Sequence, residues 1–266
     1  SATDTAIVVN TAGSYTVTVM DRSGRIGTSV PVEVVYKASP IPRLNVASPV
    51  TLCKGDSLTL TATKFFPAYQ WSTGQSSSSI MVTQPGTYFA TVTDDIGCTW
   101  ITDTVLVSVS DPRVVVAANG PLTFCEGEEV ALDAGSGFQA YRWSDNQQGQ
   151  RIIVRNSGSY TVRVSDANGC SAISDTVRVL VRPRPVAIIS PSGNAVLCPG
   201  DSLILDAGPG YAAYRWSTGG ASRYLVVNQP GTYGLSVTNG SGCESLPDSV
   251  SVTMLTPPSL NQPDTV

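Results

Sequence analysis

Six cysteines stand at regular intervals along this chain, and their spacing constrains the fold more than any other feature. They form three pairs whose members are 45 residues apart, namely Cys53 and Cys98, Cys125 and Cys170, and Cys198 and Cys243. A tryptophan follows each first cysteine by 18 residues, and a tyrosine precedes each second cysteine by ten: Trp71, Trp143 and Trp216, with Tyr88, Tyr160 and Tyr233. Because the set recurs every 72 to 73 residues, the sequence predicts a tandem array of one small domain.

The third copy shows the strand pattern of one domain most clearly. Apolar residues alternate in segments 202–206, 213–217, 232–238 and 248–254, and turns rich in glycine and proline separate them. Further short strands are predicted at 186–189, 195–198 and 224–227. This pattern predicts about seven short strands per copy, with no sustained helical period. We therefore expect an all-β fold of tandem immunoglobulin-like antiparallel β-sandwiches placed end to end. The repeated tryptophans and tyrosines are predicted to be core residues, and the alternative for the tryptophans is a sugar-stacking platform.

The repeat also predicts where domains begin and end. Residues 1–36 match only the second half of a copy, and Arg25 stands where its cysteine would be. A half sandwich cannot bury its apolar face, so this segment is either an excerpt of a longer polypeptide or is completed by another chain. The predicted segments are 1–36 (a C-terminal half repeat), 37–111, 112–183 and 184–256 (the first, second and third repeats), and 257–266 (the first strand of a following repeat or a strand-donating tail).

Composition excludes several classes of function. The net charge is −4, only 14% of residues are charged, and no basic patch is present, so nucleic acid is not an expected partner. The absence of histidine excludes Ser-His-Asp and Cys-His catalysis, and we expect no enzyme activity, no metal centre and no cofactor. No apolar run reaches about 18 residues, so no membrane span is expected.

Two disulfide pairings fit the spacing equally well. An even number of cysteines at repeated positions indicates disulfides and an oxidising, extracellular compartment. Within-repeat pairing would join Cys53 to Cys98, whereas head-to-tail pairing would join Cys53 to Cys170 and Cys125 to Cys243. In an immunoglobulin topology the two cysteines of one repeat lie at opposite ends of the sandwich, roughly 20 Å apart, while bridged Cα atoms are about 4.4–6.8 Å apart. Head-to-tail bridges would make the array a stiff rod.

The ordered motifs resemble a known group of proteins. Cys-x-Gly-Asp-Ser-Leu, Tyr-x-Trp-Ser-Thr-Gly, Gln-Pro-Gly-Thr-Tyr and Val-Thr-Asp-x-x-Gly-Cys resemble the Ig-like repeats of large Bacteroidetes surface proteins, and they are similar to polycystic-kidney-disease-type modules. The resemblance implies export, usually by the type IX route, and display on the cell surface in adhesins, gliding-associated proteins or multidomain hydrolases.

Acidic residues recur at the turns and allow two further hypotheses. The first is calcium binding at the joints, against the alternative that Asp and Asn stand at turns for backbone reasons. The second is O-glycosylation, because triplets of Asp, Ser or Thr and an apolar residue resemble a signature of exported Bacteroidetes proteins. The alternative is a turn aspartate that precedes a strand. The candidate acceptors are Ser57, Thr104, Thr176, Ser202 and Ser249.

We predict a structural stalk or fibre segment of an extracellular, cell-surface protein. Alternatives are an adhesin for carbohydrate or another surface, an accessory array of a secreted hydrolase, and a filament subunit with interchain strand complementation. The predicted partners are neighbouring repeats of the same or an identical chain, and surface glycans. Trp100 has no counterpart in the other repeats, so it is a candidate surface contact, with packing as the alternative.

Overall fold

A computed structural model of the chain describes residues 5–36 and 41–256. The chain divides into two compact units, Ser1–Val109 and Ser110–Val266. The described residues contain strands and no helix, which confirms the predicted all-β, immunoglobulin-like class. In these two ranges no helix exists that could cross a membrane. The predicted strand or tail at 257–266 lies outside the described residues.

The half repeat forms two small antiparallel pairs. Its strands are β1 (Gly13–Tyr15), β2 (Thr18–Met20), β3 (Ile26–Thr28) and β4 (Val32–Val34). Strand β1 pairs with β4, and β2 pairs with β3 across the turn that contains Gly24. Gly24 has a φ of 85°, which favours glycine in a tight hairpin.

The first repeat contains three small sheets. Their orders are β5-β12-β9, β11-β10-β7 and β6-β8. The strands are β5 (Val50–Cys53), β6 (Leu58–Thr61), β7 (Ala68–Trp71), β8 (Ser79–Val82), β9 (Gly86–Tyr88), β10 (Ala90–Thr93), β11 (Thr99–Ile101) and β12 (Val105–Ser110).

The second repeat has the same arrangement with one more short strand. Its sheets are ordered β13-β15-β17, β14-β21-β18 and β16-β19-β20. The strands are β13 (Ala117–Ala118), β14 (Thr123–Cys125), β15 (Val130–Asp133), β16 (Ala140–Trp143), β17 (Arg151–Val154), β18 (Gly158–Tyr160), β19 (Val162–Ser165), β20 (Ser171–Ile173) and β21 (Val177–Arg182).

The third repeat has six strands, close to the predicted seven. Its sheets are ordered β22-β27-β26-β24 and β23-β25. The strands are β22 (Asn194–Leu197), β23 (Leu203–Asp206), β24 (Ala213–Trp216), β25 (Tyr224–Val227), β26 (Gly231–Thr238) and β27 (Asp248–Met254).

Each complete repeat closes its own hydrophobic core around its tryptophan. Trp71, Trp143 and Trp216 are only 1–2% exposed, so they do not form a sugar-stacking surface. Each indole Nε1–H donates a hydrogen bond of 2.8–3.0 Å to a carbonyl six residues along the chain. This bond satisfies the one polar group of a buried tryptophan. The indole of each repeat therefore ties the following turn to the core.

The repeated tyrosines lie at the border of these cores. Tyr160 is buried, while Tyr88 and Tyr233 are half-buried and pack against their clusters. Each hydroxyl donates to the carbonyl four residues before it, at 2.9–3.0 Å. The glycine two residues before each tyrosine leaves room for the ring, because a Cβ on Gly158 would lie 3.2 Å from a ring carbon of Tyr160. The Pro-Gly-Thr-Tyr motif thus places a tyrosine whose hydroxyl is hydrogen-bonded to the turn before it.

One strand pairing in each of the last two repeats is parallel, whereas the other strand pairings of these two repeats are antiparallel. Strand β14 runs parallel to β21, with Cys125 opposite Arg182. Strand β22 runs parallel to β27 in the same way. Because the two strands of each pair are parallel, they end at the same side of the repeat. The first strand of the pair leads to a cysteine there, and the second is the last strand of the domain. The first cysteine of a repeat therefore lies beside the exit to the next one.

Candidate functional site at the joint between two repeats

A disulfide joins the second repeat to the third. Cys125 ends β14 and is bonded to Cys243, which follows the hairpin turn after β26. Their Cα atoms are 5.6 Å apart and they are 118 residues apart in sequence. This is the head-to-tail alternative, and it rules out the bonds Cys125–Cys170 and Cys198–Cys243 in this structure. Cys53 and Cys170 are also in the disulfide form.

The prediction that all six cysteines take part in disulfides differs from the structure at two positions. Cys98 and Cys198 are free and exposed. Head-to-tail pairing explains both, because it joins the first cysteine of one repeat to the second cysteine of the next. Cys98 would then need a first cysteine of a preceding repeat, and Cys198 a second cysteine of a following repeat.

The end of the second repeat is hydrogen-bonded to the linker that leaves it. The backbone N–H of Glu126, next to Cys125, donates to the carbonyl of Arg182 at 2.8 Å. Arg184 of the linker makes a second hydrogen bond to the same residue, since its Nε–H donates to the carbonyl of Glu126. The linker therefore leaves the second repeat alongside the turn that contains Cys125, and hydrogen bonds to this turn fix the position of the linker.

The third repeat holds the same linker from the other side. Asn239 Nδ2–H donates to the carbonyl of Pro183 at 3.0 Å, and Arg182 Nη1–H donates to the carbonyl of Ser241 at 3.4 Å. Further along, the Tyr211 hydroxyl donates to the carbonyl of Val186 at 2.6 Å, and the N–H of Ile189 donates to Asp248 Oδ2 at 3.3 Å. These contacts replace the first strand predicted at 186–189, since side chains use the backbone groups that a ladder would need.

The hairpin that carries the second cysteine is built around one side-chain oxygen. Asn239 Oδ1 accepts from the backbone N–H groups of Ser241 and Cys243, both at 3.0 Å. The amide nitrogen of Asn239 is then left to reach the linker. Cys243 itself is fully buried. A single asparagine thus links the disulfide turn to the proline of the linker.

The acidic residues of the equivalent turns act as backbone acceptors. Asp94 Oδ1 accepts from the N–H groups of Ile96 and Cys98, and Asp166 Oδ1 accepts from those of Asn168 and Cys170. Among the described residues no group of three or more Asp, Glu, Cys or His side chains could hold a metal ion. The structure therefore gives these acids the backbone role that the alternative to calcium binding predicts.

Hydrogen bonding also sets the charge of these carboxylates. The Ser110 hydroxyl donates to Asp166 and is the main cause that lowers the pKa of this carboxyl below its usual value. Asp21 shows the same effect more strongly, because the hydroxyl of Ser23 and the backbone and side chain of Arg25 lower its pKa to about 2. Both turns are therefore built for an ionised carboxylate at neutral pH.

A groove with a volume of about 650 Å³ lies next to the joint. Its lining includes the charged residues Glu126, Arg184 and Asp248 and the apolar residues Val186 and Leu246. The described residues that line it include no aromatic ring, and aromatic stacking is what the carbohydrate alternative would require. The groove therefore follows the path of the linker between the two repeats.

The five candidate glycosylation positions are exposed. Each follows an aspartate that lies just before a strand or at its first residue, so their backbone context is close to the one that the structural alternative predicts. The residues are Ser57, Thr104, Thr176, Ser202 and Ser249.

Trp100 is half-buried and packs against the core of the first repeat. Its Nε1 is buried without a hydrogen-bond partner among the described residues. The structure thus favours the packing alternative over an exposed contact. Sequence analysis missed Glu126 and Tyr211 as joint residues. Glu126 stands at the variable position of the Cys-x-Gly motif, and Tyr211 differs from its counterparts Phe66 and Phe138 only by the hydroxyl that makes the contact.

No family model and no curated protein sequence matches the chain. Solved structures with similar folds include the three N-terminal domains of the highly immunogenic outer capsid protein Hoc of bacteriophage RB49, at 14% identity, 81% coverage of this chain, 99% of that chain and a TM-score of 0.34. Extracellular domains 3–5 of Drosophila OTK match at 12% identity, 82% and 99% coverage and a TM-score of 0.30. Fibronectin(III)-like modules of Clostridium thermocellum CbhA match at 17% identity, 52% and 94% coverage and a TM-score of 0.27. These likenesses are too weak to carry an argument about function.

Proposed function

We propose that the chain is a structural spacer segment of an extracellular surface protein, in which cross-linked repeats hold a distal part at a fixed distance and bear load. The observation that carries the proposal is the disulfide between Cys125 and Cys243 across a joint. A bridge inside a domain stabilises that domain alone, whereas a bridge between domains restrains their motion. The structural role follows from where the covalent bond is placed.

The hydrogen bonds at the joint support the same function. The linker is bonded to the second repeat through Glu126 and to the third through Asn239 and Tyr211. Linker prolines Pro183 and Pro185 also restrict φ. A linker held in this way cannot act as a flexible tether, which would need free backbone rotation at several residues.

The compartment is part of the proposal. Stable disulfides are typical of secreted proteins because cytosolic thiols are kept reduced. The motif resemblance adds export by the type IX route, display on the cell surface and O-glycosylation at the exposed serines and threonines. Catalysis is no part of the proposal, since the chain has no histidine for Ser-His-Asp or Cys-His chemistry.

The first experiment measures the rigidity of the joint. Spin labels attached through non-natural amino acids at the exposed strand positions Arg163 and Arg215 report the distance between the two repeats. We expect a narrow distance distribution in the oxidised chain and a broader one after Cys125→Ser with Cys243→Ser. The matched control is Cys98→Ser with Cys198→Ser, which leaves the joint intact. An equally broad distribution in the oxidised chain contradicts the spacer function.

The second experiment pulls on single molecules from the two ends. The bond should shield the 118-residue segment between the cysteines from extension. In a Cys53→Ser, Cys170→Ser chain, which keeps the Cys125–Cys243 bond alone, reduction should therefore add a contour length on the order of 400 Å, at about 3.6 Å per residue. The Cys98→Ser, Cys198→Ser variant should behave like the native chain. Equal contour lengths before and after reduction would contradict the load-bearing role of the bond.

A further inference from the structure

Two arginines lie directly opposite each other on the outer face of the second repeat. Strand β16 pairs with β19 so that Arg142 is the partner of Arg163, and both side chains are exposed. Side chains that are opposite each other in an antiparallel pair begin about 5 Å apart, and like charges in such positions repel. The pair therefore costs the sheet stability unless an anion lies between the two charges.

Both arginines lack an ion-pair partner among the described residues. Arg142 Nη2–H donates to the amide oxygen of Asn146 at 3.5 Å, and Arg163 Nη1–H donates to the hydroxyl of Ser171 at 3.3 Å. Arg151 of the same repeat, by contrast, has its Nη2 atom 3.2 Å from a carboxylate oxygen. The facing arginines thus have only neutral partners.

The acids that are nearest to the pair in sequence are hydrogen-bonded to other groups. The carboxylate of Asp145 accepts from the backbone N–H of Gln147 at 3.1 Å and from its side-chain amide at 2.7 Å. The carboxylate of Asp166 accepts from the hydroxyl of Ser110. Both cations therefore face solvent without a countercharge from the part of the chain that the structure describes.

The pair borders a hollow of about 330 Å³ on the face of this sheet. Besides the two arginines, Ser144, Thr161 and Ile173 line it. Ile173 is 58% exposed and lies directly opposite Arg163 on strand β20. The hollow thus combines two cations, two hydroxyl groups and one apolar side chain, and its volume is near the lower end of the range for small-ligand sites.

The other repeats have the same sheet without the pair. The first repeat has Gln70 opposite Thr91. The third repeat has Arg215 opposite Ser236, whose hydroxyl donates to Glu244 Oε1 at 2.7 Å. The third repeat therefore has one arginine on this face together with a carboxylate. Because all three sheets form, the fold of a repeat does not require two arginines at these positions.

We propose that Arg142 and Arg163 bind one carboxylate or sulfate group of an acidic polysaccharide. The guanidinium group is a planar fork of N–H donors that matches an oxoanion, so two forks on neighbouring strands can hold one such group. The hydroxyls of Ser144 and Thr161 offer hydrogen bonds to sugar hydroxyls, and Ile173 offers an apolar contact to the ring. This binding function is separate from the spacer function and does not rest on it.

The surroundings of the pair favour a polysaccharide over other anionic polymers. Nucleic acid needs many phosphate contacts, whereas the chain has a net charge of −4 and this hollow offers two arginines. An acidic peptide that recognises a sheet typically adds to an edge strand, whereas Arg163 lies on the central strand β19. A neutral sugar needs an aromatic ring for stacking, but a sugar acid brings one charged group per ring, which suits a single arginine pair.

The test adds a tetramer of galacturonic acid to the oxidised full chain and follows amide NMR shifts. We expect changes in residues 140–144, 161–165 and 171–173 that saturate in the millimolar range. Binding should weaken about fivefold as the ionic strength rises from about 0.05 to about 0.5 M, because salt screens exposed charges. The methyl ester of the tetramer has the same rings without the charge and should not bind. A sulfated glucose tetramer distinguishes the two oxoanions, since the tighter ligand identifies the preferred group.

Variants that copy the first repeat separate binding from folding. Arg163→Thr introduces the residue found at Thr91, Arg142→Gln introduces the residue found at the equivalent position, and each should weaken binding about tenfold. Arg215→Gln in the third repeat is the matched control and should leave binding unchanged. Removal of a like charge should keep or raise the melting temperature of the chain. A lower melting temperature together with unchanged binding would show a structural role and overturn the inference.

The pair can also be transplanted to the third repeat. Ser236→Arg with Glu244→Gln places two arginines opposite each other there, and it should add a second set of shift changes in residues 213–217 and 234–238. Equal binding of the tetramer and its methyl ester, or no binding of either acidic tetramer, would overturn the inference. These results leave the spacer function intact, because they do not involve the Cys125–Cys243 bond or the linker.

Discussion

The half repeat at residues 5–36 and the second half of the third repeat contain the same hairpins, and they differ in what lies against them. Strands β1 and β4 pair in the same register as β26 and β27, with Tyr15 opposite Val32 and Tyr233 opposite Val250. Both tyrosine hydroxyls donate to the carbonyl four residues before, at 2.9 Å. Even so, Val32 is 62% exposed and Val250 is 2% exposed.

The difference in exposure between Val32 and Val250 shows which features of a repeat form locally and which need tertiary contacts. Turn glycines, the tyrosine bond and the side-chain oxygen in the hairpin act over four residues or fewer, so they form with or without a core. Burial needs the opposite half of the sandwich, which the third repeat has in its strand with Trp216. The cysteine position differs too, because Arg25 occupies it in the half repeat and forms an ion pair of 2.7 Å with Asp21.

Removal of the central tryptophan should make the third repeat resemble the half repeat. Trp216→Ala deletes the largest buried side chain of that core and should lower the free energy of unfolding by about 3–5 kcal/mol. Amide exchange across residues 184–256 measures the loss. Trp100→Ala in the first repeat is the comparison, and it should cost less because Trp100 is half-buried. Native exchange rates in the Trp216→Ala variant would contradict the assignment of this residue to the core.

Equivalent valines should respond differently to the same substitution. Val237→Ala removes buried methyl groups and leaves a cavity, so it should cost about 2 kcal/mol. Val19→Ala changes an exposed position and should cost less than about 0.5 kcal/mol. Chemical denaturation followed by exchange in each segment gives both values. Equal costs would show that Val19 is covered in solution, against its 62% exposure in the structure.

The hydrogen bond from the tyrosine hydroxyl to the carbonyl four residues before should contribute a similar free energy of stabilisation in both regions. Tyr233→Phe and Tyr15→Phe each remove one hydroxyl bond to a carbonyl, which should cost about 1 kcal/mol. Because the Tyr15 hydroxyl also bonds to Thr11 Oγ1 at 2.7 Å, Tyr15→Phe is made in a Thr11→Val chain. Exchange rates of the amides in the preceding turns report the effect. A loss confined to Tyr233 would show that the bond depends on the core, against the local explanation.

Acid should destabilise the hairpin of Asp21 in the half repeat and leave the hairpin of Asn239 in the third repeat unchanged. The pKa of Asp21 is lowered from 3.8 to about 2 in the folded state, so its stabilising effect is full above about pH 4 and is lost as the pH falls through about 2. Asn239 holds the equivalent place and does not titrate. Amide NMR shifts of Ser23 should therefore move in this range, and those of Ser241 should stay constant. Arg25→Gln should raise the pKa of Asp21, and an unchanged pKa would contradict the part assigned to Arg25.

Much of the fold could be predicted because its signals are local. Alternation and turn residues placed the strands of the third repeat within one or two residues, and Tyr224–Val227 and Asp248–Met254 match the predicted bounds. The predicted strand at 186–189 failed because the side chains of Tyr211 and Asp248 take its backbone groups. Such contacts join residues 25 and 59 positions apart, so alternation and turn signals do not predict them. The contact of Asp248 nevertheless recurs in the first repeat, where the N–H of Leu44 donates to Asp103.

The sequence by itself determined the period, the β class, the tryptophan-centred cores and the exposed apolar face of the half repeat, since each depends on residue types at short, regular spacing. Only the tertiary structure decided which cysteines bond. Separations of 45 and 118 residues are equally regular along the chain, but a disulfide depends on distance in space, and the parallel pairing of β14 with β21 puts Cys125 at the exit of its repeat. There it meets Cys243 at a Cα distance of 5.6 Å, and the same geometry leaves Cys98 and Cys198 free.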